Sequence, residues 1–312
     1  MTTLVCAIST FLEARIGIVA NKTAQINKGY LRSLVDFFGE EQALETLTLN
    51  HLRTWRAWLF QRETKYASDS TFRPLERGKL SVHTIHGMVR TCRQFFKWNH
   101  DEGFLPTNPA ARLELPPLPQ GPPKHITAES VLKMFAAARS SVRDTALLWF
   151  LHDTACRLGG AASLQLSELD VERGTATVWE KGRGGKKKAR PVFLKPLARE
   201  ALCAWLAVRP VTRGLDGKPL TNAVFVSERH PHDVLTEGAV YARVKTIAKA
   251  AGVFDSANPQ AWRHGFAKRF LWNGGSLGAL SQILGHSDIK VTHESYAVWV
   301  DRELQEQHAR FA

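Results

Sequence analysis

Pro259-Gln-Ala-Trp-Arg-His-Gly-Phe266, followed by Leu284-Gly-His286 and Ser295-Tyr296, is the stretch on which the reading of this chain turns. It places Arg263, His264, His286 and Tyr296 in one short segment of a chain with net charge +13. A fixed cation, two imidazoles and a phenol can together perform phosphoryl chemistry without a metal. Arg263 offers a planar fork of donors to two oxygens of one phosphate. His286 is suited to hold or move a proton near neutral pH, and Tyr296 is a candidate oxygen nucleophile. A phenol with an ordinary pKa of about 10 attacks at pH 7 only with help, which neighbouring positive charge supplies. Taken singly, each residue reads as ordinary surface or satisfied core; the combination carries the weight.

Composition narrows the setting. A length of 312 residues suits one large or two ordinary domains, and 44% hydrophobic residues are enough for a core. The net charge and a pI near 9.8 point to a polyanionic partner, with nucleic acid as the default. Cys6, Cys92, Cys156 and Cys203 are isolated in sequence, which implies neither a zinc site nor a disulfide framework and suits a reducing cytosol. Apolar runs such as Ala146 to Leu151 are too short for a membrane span. The opening residues lack a basic n-region and are broken by Glu13 and Arg15, so no signal peptide is expected. No clustered carboxylates suggest a metal-dependent nuclease or transposase.

Along the chain, periodicity predicts a helix over 11–39 with Leu31, Leu34, Val35 and Phe38 on its apolar face, and a second after Asn50 with Leu52, Trp55 and Leu59. Residues 65–79 read as loop. Ser81 is a candidate N-cap for the clearest helix of this half. Ile85, Met88, Val89, Cys92 and Phe96 form its buried stripe, and His86, Arg90, Arg93 and Lys97 form a basic face. Such a face is ordinary solvated surface or a cover for phosphates. Five prolines between Leu115 and Pro123 make a stiff connector. Further helices are expected from Thr127, around Leu147 to Leu151 ending near Arg157, over 197–208 and over 236–251. Thr175 to Trp179 and Arg190 to Leu194 flank a glycine-rich basic loop as a hairpin. Val224-Phe225-Val226 is a candidate third strand, and Leu304, His308 and Phe311 suggest a small tail helix.

The 259–296 stretch resembles the second motif box of the tyrosine recombinases, the phage-integrase family: His-x-x-Arg-His, then Leu-Gly-His, then a nucleophilic tyrosine. Arg263-His264 and Leu284-Gly285-His286 match, while Gln260 stands where the family has its first histidine. Tyr296 follows His286 by ten residues where nine is usual, which puts Ser295 at the expected place; a one-residue insertion keeps Tyr296 as nucleophile. Thr154 to Asp170 is similar to the first box, with Arg157 matching its catalytic arginine and Gly160 standing where a supporting Glu is usual. The loop opening at Lys181 resembles the Gly-Lys-Gly hairpin, with Glu180 in place of its first glycine and Lys181 at the catalytic lysine.

The resemblance implies a two-domain, mainly α protein. A helical, SAM-like core-type DNA-binding domain would occupy 1–114 and a Pro-rich linker 115–124. An α+β catalytic domain with a small antiparallel sheet would occupy 125–312. The text from Leu80 to Pro109 looks like the last helices of the family's core-binding domain, with no room ahead for an arm-binding domain. The implied reaction cuts and rejoins DNA through a 3′-phosphotyrosine, without ATP, cofactor or metal. Arg157 and Arg263 would clamp the phosphate, Lys181 would protonate the leaving oxygen, His286 would orient the phosphate or assist proton transfer, Gln260 would position the phosphate without titrating, and His264 would be a structural helix-start residue. His86, Arg90, Arg93, Lys97, Arg183, Lys186, Lys187, Lys188 and Arg190 would meet backbone phosphates. Double-stranded DNA would be the partner of a homotetramer on paired sites, with possible accessory DNA-bending proteins, in the cytoplasm and at the nucleoid. A catalytically impaired DNA-binding relative and a type IB topoisomerase-like enzyme are the alternative readings.

Overall fold

The computed structural model describes residues 2–64, 78–119, 121, 123–181, 187–214, 217 and 219–311. The chain divides into two compact units, Met1–Gln120 and Gly121–Ala312, a division that falls within the proline-rich stretch.

In the first unit, helices form where caps and apolar spacing coincide. Helix α1 (Leu4–Glu13) begins where Thr3 accepts the N–H of Cys6, and α2 (Asn21–Phe38) closes at Gly39 with φ 92°. The single helix expected over 11–39 is therefore two. The intervening turn bends at Gly17, φ 78°, and leaves Ile16 and Ile18 78% and 69% exposed, so they are no part of an apolar face. Helix α3 (Leu49–Gln61) is capped by Thr48, and α4 (Val82–Asp101) by Ser81, whose hydroxyl accepts from Thr84 N at 3.1 Å. Gly87 lets α4 approach α2, since a Cβ there would lie 2.8 Å from the Tyr30 ring. Phe11 packs edge-on to Phe95 and Trp98, and Trp55 donates to Ser33 O, satisfying its buried N–H. The expected loop over 65–79 lies outside the described residues but for its last two.

The second unit is built around α6 (Val142–Thr154), apolar on nearly every side and covered accordingly. Helix α5 (Ala128–Ala138) packs on one flank, and the short α7 (Leu158–Ala162) follows directly. Then come β1 (Leu169–Asp170), β2 (Thr175–Lys181) and β3 (Lys187–Phe193), an antiparallel sheet in that order. Val178 pairs with Arg190 and Glu180 with Lys188. Val224-Phe225-Val226 is not the third strand: it is buried and bonded through isolated bridges, and β1 takes that place. Helix α8 (Pro196–Val208) packs on α6, and α9 (Glu237–Ala250) is tied to α6 by Arg243 Nε donating to Asp144 at 2.7 Å.

Helices α10 (Pro259–Trp272), α11 (Leu277–Leu284) and α12 (Ile289–Phe311) complete this unit. They enclose a smaller core of Ala155, Ala267, Leu271, Leu280, Leu284, Tyr296 and Trp299. The expected tail helix is the continuation of α12 rather than a separate element. Among the described residues no helix is long and apolar enough to cross a membrane.

Candidate active site

Strand alternation builds the floor of the site. Ala176, Val178 and Glu180 are successive inward positions of β2, and Arg190 and Val192 are inward positions of β3, so one acid and one base replace core residues on the buried face. Glu180 accepts the backbone N–H of Arg157 at 2.6 Å, Arg157 Nη1 at 2.7 Å and Arg190 Nη2 at 3.1 Å. Burial pushes the Glu180 carboxyl up, but the Arg190 charge, the Arg157 N–H, the Arg190 hydrogen bond and the Arg263 charge outweigh it and hold it below the usual range. Gly160 stands directly over this carboxylate: a Cβ at 160 would lie 3.3 Å from Glu180 Cγ. The carboxylate expected from helix position 160 is thus supplied by the sheet, where a glycine was expected. Arg190, expected on DNA phosphates, is buried and also donates to Ile283 O.

Helix geometry builds the opposite wall. Asn258 caps α10 by accepting Ala261 N at 2.9 Å, and Pro259 occupies its first turn, which fixes the phase of the residues behind it. Arg263 is buried, with Nη1 on Ala155 O at 2.7 Å and Nη2 on Leu284 O at 2.6 Å. Those carbonyls close α6 and α11, helix ends capped in left-handed conformation by Ala155 (φ 48°) and Gly285 (φ 69°). Helix C-termini carry partial negative charge, so they suit a guanidinium. Burial and then the nearby Arg157 charge lower the Arg263 pKa to about 10.

His286 Nε2 lies 3.1 Å from Arg263 Nη2, and its Nδ1 lies 2.7 Å from Thr292 Oγ1. A guanidinium only donates, so Nε2 is the acceptor and Nδ1 carries the hydrogen. Burial, then Arg263 and Arg157, lower its pKa to about 4. The ring is therefore neutral at pH 7 and holds Arg263, where the sequence suggested a group titrating near neutrality.

Tyr296 is buried at the inner face of α12 with Thr292 and Trp299, whose ring stacks on it at 5.3 Å, while Ser295 is half-buried beside it. Burial raises its pKa against the lowering charges of Arg263 and Arg157. Its hydroxyl lies 2.8 Å from His264 Nδ1, so His264 contacts Tyr296 in addition to standing at the start of α10. Gln260 is exposed at the mouth, its amide 3.4 Å from His264 Nε2.

The structure thus brings together Arg157, Gln260, Arg263, His286 and Tyr296 through hydrogen bonds and mutual charge effects. Lys181 ends β2 paired with Lys187; its side chain, and Arg183 and Lys186, lie outside the described residues. Lys187 and Lys188 are exposed on β3. In the first unit, Arg90 and Lys97 are exposed on α4 and Arg93 is half-buried; Lys97 is paired with Asp101, and His86 is bonded to Pro116 O at 2.9 Å. Glu180, Thr292 and the roles of Arg190 and His264 escaped the sequence reading. The inward period of Ala176-x-Val178-x-Glu180 was a signal for the first.

The family model described as the phage integrase family matches residues 124–301. Tyrosine recombinase XerC of Xanthomonas campestris pv. campestris (strain B100) is 31% identical over 219 residues, 69% of this chain; the chain spans only 64% of that protein. Tyrosine recombinase XerC of Alcanivorax borkumensis is 30% identical over 272 residues, 85% of this chain and 80% of the relative. The Tn1549 transposon integrase, solved with a circular intermediate DNA, shares the fold at TM-score 0.74 and 16% identity, over 98% of this chain and 100% of that one. A match across more than half the chain, joined to relatives at this identity over two thirds of it or more, means that the chain belongs to the phage integrase family, the tyrosine recombinases.

Proposed function

We propose that the protein is a site-specific recombinase that cuts and rejoins double-stranded DNA through a 3′-phosphotyrosine. The observation that carries this reading is the joining of buried Arg263 to His286, beside Tyr296 and within range of the Arg157 charge. A phosphodiester transition state spreads negative charge over its oxygens, and two arginines fixed in advance supply the largest stabilising effect. Arg157 is fixed by Glu180 and Arg263 by two helix-end carbonyls.

Tyr296 attacks phosphorus, Lys181 protonates the departing 5′-oxygen, Gln260 orients the phosphate, and His286 does so through the Arg263 guanidinium that it holds. A DNA 5′-hydroxyl then attacks the phosphotyrosine and reverses the step. The first unit acts as the core-type DNA-binding domain, with Arg90, Arg93, Lys97 and His86 of α4 toward backbone phosphates. Arg183, Lys186, Lys187 and Lys188 of the hairpin do the same in the catalytic unit. Exchange between paired sites takes four copies, with DNA-bending accessory proteins where the site requires them.

The test is recovery of covalent protein–DNA adducts from denatured cells expressing wild type or Tyr296→Phe, followed by sequencing of the attached DNA ends. Adducts in wild type alone, at a recurrent sequence, are expected. Their absence from wild type that still binds DNA would overturn the strand-breaking function in favour of a silent binding protein.

A further inference from the structure

We infer that His264 is the base that receives the proton of Tyr296 when the phenol attacks phosphorus, an inference that rests on the strand-breaking function proposed above. Among the described residues, His264 is the side chain hydrogen-bonded to the Tyr296 hydroxyl, with Nδ1 2.8 Å away. That distance is the reach a base needs.

The neighbouring candidates are engaged or chemically unsuited. Gln260, one turn earlier on α10, has an amide that does not titrate. His286 spends one ring nitrogen on Arg263 and the other on Thr292. Glu180 is occupied by Arg157 and Arg190. His125 lies against Lys268 Nζ at 3.0 Å.

The surroundings of His264 keep it neutral and ready to accept. Burial, then the Arg263 charge and His125, lower its pKa to about 4. With Nδ1 accepting, Nε2 carries the hydrogen and faces the Gln260 amide, whose oxygen and nitrogen are interchangeable in placement. Gln260 then sets the tautomer of its neighbour. A phosphodiester bound against Arg157 and Arg263 neutralises the charge that depresses the imidazole, which makes it a stronger base when attack begins.

The step balances. The Tyr296 oxygen forms its bond to phosphorus while its proton passes to His264 Nδ1, and the bond from phosphorus to the 5′-oxygen breaks as that oxygen takes a proton from Lys181. Rejoining runs in reverse: the incoming 5′-hydroxyl gives its proton to the Lys181 amine, and His264 returns its own to the released phenolate.

The test uses the full chain and a duplex bearing the site read from the wild-type adducts, made with either oxygen or sulfur at the bridging 5′ position. Sulfur departs without a proton, so the second substrate reports on the nucleophile alone. His264→Gln and His264→Asn are expected to bind DNA as wild type does and to form adducts about 100-fold more slowly on both substrates. The Asn variant can hold the phenol by a hydrogen bond near the place of Nδ1 but cannot take its proton, so recovery in Asn would reduce His264 to a positioning residue and overturn the inference. Rescue by sulfur would overturn it too, placing the defect at the leaving group. Faster cleavage in either variant would show a latch on Tyr296 instead of a base. Should both variants misfold, nitrogen NMR of histidine-labelled wild type decides: hydrogen on Nε2 at pH 7 supports the inference, and hydrogen on Nδ1 refutes it. A wild type without adducts fails the proposed function itself, a separate result.

Discussion

Replacing Glu180 by Gln tests whether the buried acid organises the arginines. The carboxylate accepts three N–H groups, two of them from guanidinium ions. The Arg190 side chain is 5% exposed and Arg157 37% exposed. Removing one partner of a buried ion pair costs about 3–5 kcal/mol, whereas a partner as exposed as Arg157 contributes little by charge. The low end, about 3 kcal/mol, is expected. Because the folded pKa of Glu180 is depressed, its stabilisation is present above the unfolded value near 4.5 and is lost as pH falls through the folded value. The difference between wild type and Glu180→Gln is therefore full at pH 7 and shrinks below about pH 4.5. Hydrogen exchange of β2 and β3 amides reads this locally, and 3 kcal/mol corresponds to about 100-fold loss of protection at pH 7. Salt leaves the difference largely intact, since the pair is shielded from counterions. A loss of protection under about threefold at pH 7, or one that grows on acidification, would refute the reasoning.

Two buried tryptophans of the second unit should respond unequally to loss of the indole N–H. Trp205 donates to Val224 O at 2.8 Å, whereas Trp262 Nε1 has no partner. Trp205→Phe is expected to destabilise by about 1–3 kcal/mol more than Trp262→Phe, because it strands a buried carbonyl; thermal unfolding of both variants gives the order, and the reverse order contradicts the structure. Cys92 and Cys156 are buried, which pushes both thiols up, Cys156 to about 11, while Cys6 and Cys203 are exposed. A thiol reagent at pH 8 should titrate two groups rapidly in the native protein and four after unfolding; fast reaction of a third thiol would show that one of the buried pair is not closed off.

How far the fold could be read from the residues depended on whether a local signal and the tertiary outcome agreed. Ser81 with its apolar stripe marked α4, and glycines flanked by β-formers marked the hairpin, because cap, turn and period all act within a few residues. The break between α1 and α2 was hidden by Ile16 and Ile18, apolar residues that continue the period but point to solvent. Val224-Phe225-Val226 has strand composition and full burial, yet its partners are single bridges, and the two-residue β1 is too short to show a period. At the site, residue types announced Arg263, His286 and Tyr296. Glu180 read only as a replacement for a hairpin glycine and Arg190 as a phosphate contact, because their burial depends on each other and on Ile283 O, 93 positions from Arg190. The helical phase of Thr292, Tyr296 and Trp299 was present in the sequence and is what turns the phenol, rather than Ser295, fully inward.

The sequence distances within the site also impose an order on its assembly during synthesis. Arg157 meets Glu180 across 23 positions and Arg190 meets Glu180 across 10, short loops that close early. Arg263 reaches Ala155 across 108 positions, and Tyr296 leaves the ribosome later still. A nascent chain that has reached only β3 therefore holds Arg157 in place with neither Arg263 nor Tyr296. On the proposed function, such a chain would hold a phosphate without cutting it, and strand-breaking competence would arrive with the last helix, after Arg157 and Arg190 are already tied to Glu180.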